Sequence, residues 1–154
     1  MAATERSSAR GGMMDRSPVQ LVATLVGATF LLVGILGFIP GITTNLYDGL
    51  KFAGNDGDAE LLGLFKVSVL HNIVHLLFGV VGLAMARTWS SARTYLIGGG
   101  IIYLALWLLG LIGGADWIPA NDADDWLHFL LGAGMIALGF LTGRDRNRTA
   151  AATT

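Results

Sequence analysis

The chain has 154 residues and a formal net charge of −1; 53% of its residues are hydrophobic, only 14% are charged, and none is cysteine. That length suits one domain, and the absence of cysteine excludes disulfides and thiolate metal sites. With a mean hydropathy of +0.61 and no basic surplus, nucleic acid is not an expected partner.

The charges fall in short blocks separated by four long apolar runs. A soluble helix keeps one polar stripe for water, whereas these segments are apolar on every face and suit lipid. Residues 1–17, rich in Ala, Ser and Arg, read as a disordered cytoplasmic tail. The first run, 19–39, ends in Gly37-Phe-Ile-Pro40 without a small-x-small cleavage pattern, and so reads as a span and not a signal peptide. An acidic loop, 45–60, leads to the second run, 61–86, where Lys66 near the start is expected to snorkel to the interface. Arg87 and Arg93 precede the third run, 95–115. A second acidic loop, 116–125, precedes the fourth, 126–142, which could start as early as Ala123. Asp124 or Asp125 is the expected N-terminal cap of that helix. Residues 144–154 form a second expected cytoplasmic tail, leaving 18–143 as the membrane domain. A span needs about 20 residues, and lipid offers no partner to a free backbone group, so each run should be a helix.

Eight arginines (Arg6, Arg10, Arg16, Arg87, Arg93, Arg144, Arg146 and Arg148) fall on one side of this arrangement, with only Lys51 and Lys66 opposite. The positive-inside rule places the arginines, and both termini, in the cytoplasm. Trp117 and Trp126 at the outer boundary and Trp89 at the inner one suit interface anchors. Trp107 lies mid-span with Tyr103, where core packing is its expected role.

Twenty-two glycines stand mostly within the runs. Helices in lipid associate by close backbone approach at small residues, so these are expected packing contacts. The two halves also resemble each other: His75-Leu-Leu-Phe-Gly79 matches His128-Phe-Leu-Leu-Gly132 in register. Such hairpins could be an internal duplication about an axis along the membrane normal, or two uses of one helix-hairpin recipe.

All three histidines, His71, His75 and His128, lie inside runs. His71 and His75, four apart, share a helix face. Counted back from Arg87 and Arg144, His71 and His128 each stand roughly 24 Å along the helix, in the outer half of the bilayer. Three readings follow. The imidazoles could be neutral and hydrogen-bonded across helices to Asn72, Tyr103, Ser68 or backbone carbonyls. They could bind copper or zinc, or a haem held from two helices by His75 and His128. They could handle protons or ions. Clustered acids in the outer loops lack the alternating calcium frame and read as solvated turns. No catalytic triad, phosphate loop or nucleotide fingerprint is present, so enzyme activity is not expected.

The stretch Gly63-Leu-Phe-Lys-Val-Ser-Val-Leu-His-Asn-Ile-Val-His-Leu-Leu-Phe-Gly79, together with Gly34–Ile42 and Asn121–His128, resembles domain-of-unknown-function family 4383, small four-helix membrane proteins of actinobacteria. The likeness runs from Val19 to Thr142. It departs from the family at Lys66, where the pattern often has a neutral polar residue such as Gln. The resemblance implies an actinobacterial plasma membrane and supplies no activity. The expected molecule is all-α: a bundle of four transmembrane helices in two hairpins, partnered by the lipid bilayer, and by its own copies or other membrane subunits. Its leading role is structural, accessory or assembly. A metal- or haem-binding protein centred on His71, His75 and His128 is the alternative, and a small transporter or channel the third.

Overall fold

A computed structural model describes residues 16–112, 118–119 and 121–144. Both expected tails, apart from Arg16, Ser17 and Arg144, lie outside the described residues, as do Asp116 and Trp117.

Helix α1, Pro18–Leu36, opens with proline at a first-turn position, where no backbone N–H is needed. Gln20 Oε1 accepts the Ser17 amide at 3.1 Å. The same side chain donates through Nε2 to the carbonyls of Ala86 and Arg87, at 3.2 and 2.8 Å. The start of α1 is thereby fixed to the end of the helix that packs against it.

The chain then enters a small layer absent from the sequence reading. Strand β1 (Thr43–Thr44), the short helix α2 (Leu46–Gly49), β2 (Glu60–Leu61) and β3 (Phe65–Lys66) follow in order. The strands form an antiparallel sheet in the order β1-β2-β3, with Thr43 opposite Leu61 and Glu60 opposite Lys66. Ala59, Leu61 and Val67 bury their side chains against Val33 and Leu36, so the sheet sits on the end of α1. Thr43 Oγ1 donates to the Leu36 carbonyl at 3.0 Å, satisfying one of the helix's terminal acceptors.

Helix α3 therefore runs Val69–Met85, and the second apolar run is helical from residue 69, not 61. Leu62 and Gly63 both take left-handed backbone angles, with φ of 57° and 64°. Two such residues cannot continue a right-handed helix, and they turn the chain back on itself. Ser68, extended at φ −133°, then caps α3 by accepting the His71 amide at 3.1 Å. Lys66 consequently lies in β3, donating from Nζ to the Asn55 carbonyl at 2.7 Å, and does not snorkel from a helix.

Helix α4, Trp89–Leu111, follows a short turn and is capped by Thr88. Helix α5, Asp122–Leu141, is capped by Asn121, not by Asp124 or Asp125. Asn121 Oδ1 accepts the Asp124 amide at 2.9 Å, and Asp124 Oδ2 accepts the Asn121 amide at 3.2 Å. This reciprocal box satisfies two otherwise orphaned donors.

The long helices pack mainly as two pairs, α1 on α3 and α4 on α5, with α1 also against α4. Glycines set the spacing within each pair. A Cβ at Gly27 would lie 2.9 Å from the Leu83 amide nitrogen, and one at Gly100 would lie 2.7 Å from the Gly132 carbonyl oxygen. Both are closer than real side chains approach backbone. Gly98 and Gly134 differ: nothing among the described residues lies within 4 Å of a Cβ there, so these two are not packing contacts between the described helices.

The pairs also correspond to each other. Val19, Ala23, Gly27 and Phe30 on α1 match Ala92, Leu96, Gly100 and Tyr103 on α4 at one constant offset, and all eight are buried. His75 and Gly79 on α3 match His128 and Gly132 on α5 at a second offset, which also carries the cap Ser68 onto the cap Asn121.

Candidate functional site

The site is built from the middle of each pair. Helix α3 presents His71 and His75 one turn apart, with ring centroids separated by 4.4 Å. Across the first pair the Phe30 ring meets His75 edge-on at 5.4 Å, and across the second Tyr103 meets His128 at the same 5.4 Å. Phe30 and Tyr103 touch each other at 5.3 Å. The rings therefore form one continuous ladder, His71–His75–Phe30–Tyr103–His128, joining the two pairs through their centre. His75 is 7% exposed and His128 6%.

All three sequence-predicted histidines line a single cavity of about 210 Å³, together with Ser68 and Tyr103. The hydrogen bonds expected of them are not made among the described residues. Ser68 Oγ accepts the His71 backbone amide, and the Asn72 side chain donates to the Gly37 carbonyl at 2.9 Å. Nδ1 of His75 is buried and has no hydrogen-bond partner among the described residues. Among the described residues no three His, Asp or Glu side chains are grouped so as to hold a metal ion. The cavity is also smaller than the roughly 300–1,000 Å³ of sites that enclose drug-sized ligands, and a haem macrocycle is at least that large a guest.

Two features of the site were missed in the sequence. Phe30 reads as an ordinary span residue because ring contacts across helices leave no periodicity, and Tyr103, expected as a hydrogen-bond partner of the histidines, meets His128 through its ring instead. Asp124 is the other. It is 2% exposed, and its Oδ2 accepts the Lys66 amide at 3.0 Å as well as the Asn121 amide. Asn121 Nδ2 donates in turn to the Leu64 carbonyl at 2.9 Å. The start of α5 is thus bound to β3 and to the turn before it. The Asn-x-x-Asp spacing of residues 121 and 124 carried the signal for the box, though not for the strand it holds.

Three helices, α1, α4 and α5, are long and apolar enough to cross a membrane, and α3 is a shorter apolar helix of 17 residues. The molecule is therefore a helical protein of membrane type with a histidine-lined cavity between two helix pairs. The chain belongs to the family described as a domain of unknown function (DUF4383), whose model matches residues 20–141. No curated protein and no solved structure matches it.

Proposed function

We propose that the chain is a four-span plasma-membrane protein with both termini in the cytoplasm, acting as a structural, accessory or assembly component of a larger membrane complex. The carrying observation is the inverted distribution of side chains. Leu25, Leu77, Ile101 and Leu130 on the four long helices point outward and are more than half exposed, whereas Asn72, His75, Asp124 and His128 are buried. In water such a surface would be a large liability; in lipid it is the expected exterior. Helix α3 is roughly 25 Å long at 17 residues, close to the hydrocarbon thickness of about 30 Å. Because α1 and α3 pack as a pair joined at both ends, a membrane crossed by one is crossed by the other. The matching of the two pairs supports an internal duplication as the origin of the bundle.

The accessory role is tested by purification in mild detergent from native membranes. Other membrane subunits should co-purify in fixed ratio; a lone monomer without partners opposes the reading. Histidine-based copper or zinc binding is the second reading, favoured by the 4.4 Å approach of the His71 and His75 rings, whereas the cavity is too small for the haem alternative. It expects stoichiometric metal that is lost in His75→Ala. Transport is the weaker reading, since Ala23, Ala86, Ala92, Leu96 and Met135 fill the core toward the other end of the bundle.

A further inference from the structure

The histidine cavity has a shape, an opening and a hydrogen-bonding character that together select a ligand. At about 210 Å³ it holds a single ring and not a whole drug-sized molecule. Its walls include Val74 and Ile102, which are 48% and 53% exposed on the outer surface of the bundle. The opening therefore faces the medium surrounding the helices, which is lipid on the membrane reading above, on which this inference rests. A long apolar tail could remain outside between α3 and α4.

No lining residue among those described carries a fixed charge, so an anion or a cation would enter without a counter-charge. The polar groups present offer four hydrogen-bond donors, one N–H from each neutral imidazole and the Tyr103 O–H, beside the imidazoles' three acceptor nitrogens. An imidazole in either tautomer keeps one N–H, and the Tyr103 phenol carries an O–H. The nearby acceptor Ser68 Oγ is already engaged by the His71 amide. A ligand that complements this cavity is flat, neutral, apolar at its edges and provided with acceptor oxygens. That is a description of a quinone headgroup. We propose that His71, His75, His128 and Tyr103 form a binding site for the headgroup of a membrane-dissolved quinone.

The test uses the full chain in mild detergent, decylubiquinone as the probe, and decylbenzene as a ring and tail of similar form without oxygens. Binding is followed by calorimetry, and the imidazole nitrogens by ¹⁵N-histidine NMR. Saturable binding of one decylubiquinone, with shifted histidine resonances and none from decylbenzene, is the expected result. Affinity should fall at least tenfold in His75→Leu, and similarly when the opening is blocked by the pair Val74→Trp and Ile102→Trp. Equal binding of decylbenzene would mean simple apolar partition and overturns the proposal, as would unchanged affinity in the blocked variant. Should His75→Leu fail to fold, the blocked variant still decides, because both of its substitutions lie at the exposed lips. Detergent binding does not depend on how many helices cross a bilayer, so failure here and failure of the topology are separable.

Discussion

Asn72 and Asp125 occupy equivalent places in the two helix pairs, three residues before His75 and His128 respectively. Asn72 donates from Nδ2 to the Gly37 carbonyl at 2.9 Å. Asp125 abuts Gly110 in the corresponding way, but a carboxylate has no hydrogen to donate, and its Oδ1 is buried without a partner among the described residues. An unsatisfied buried polar group costs about 1–3 kcal/mol. Asp125→Asn should therefore raise the thermal unfolding midpoint, whereas Asn72→Asp should lower it by creating the same defect in the first pair. Unfolding followed by circular dichroism in detergent reads both; a lower midpoint in Asp125→Asn would mean that the carboxylate is satisfied in some other way. The four-residue spacing of His71 and His75 revealed their shared face, because a helix fixes that relation locally. Neither the Asn72 contact nor the unpaired Asp125 oxygen was legible, since each depends on where a second helix lies.

At the level of elements, glycine separates into two kinds that sequence alone presents as one. Gly27 and Gly100 face backbone, and a side chain there must push two helices apart; overpacking of a tight core costs typically 1–3 kcal/mol. Gly98 and Gly134 face open space. Alanine at these two should be neutral or stabilising by about 0.5–1 kcal/mol through its better helix propensity, while Gly27→Val or Gly100→Val should destabilise strongly. Melting of the four single variants in one detergent checks the division. The ends of the elements were harder to read than their middles. Apolar length locates four runs, but two-residue strands leave no alternating pattern, so length alone extends the second helix back over the β2–β3 turn. Asp124 holds β3 to α5. Asp124→Ala should cost about 1–3 kcal/mol and speed hydrogen exchange at the Lys66 amide, with amides in the middle of α4 unaffected. Uniform acceleration across the bundle would instead mark a global loss of stability.

For the molecule as a whole, the same argument that selected four apolar runs accounts for the inverted interior, with histidine, asparagine and glycine inside and leucine outside. Lipid removes the hydrophobic reason to bury leucine and leaves close packing and polar contact as the forces that join helices. A water-based reading of composition could recover the class of molecule, but not the ring ladder that joins its halves, because that ladder depends on two pairs meeting in three dimensions. Orientation rests on arginine: Arg16, Arg87, Arg93 and Arg144 stand at one end, while the sheet and its acidic loops stand at the other. The cysteine-free sequence makes this directly measurable, since one introduced thiol is the only one present. Asn55→Cys, in the loop between α2 and β2, should react in intact cells with a membrane-impermeant maleimide. Arg144→Cys should react only after the membrane is opened. Three helices, α3, α4 and α5, lie between the two thiols; an even number of crossings between them would place both on the same side, so equal labelling in intact cells would remove one of these three from the bilayer. The shorter α3 would then be the first to reassign.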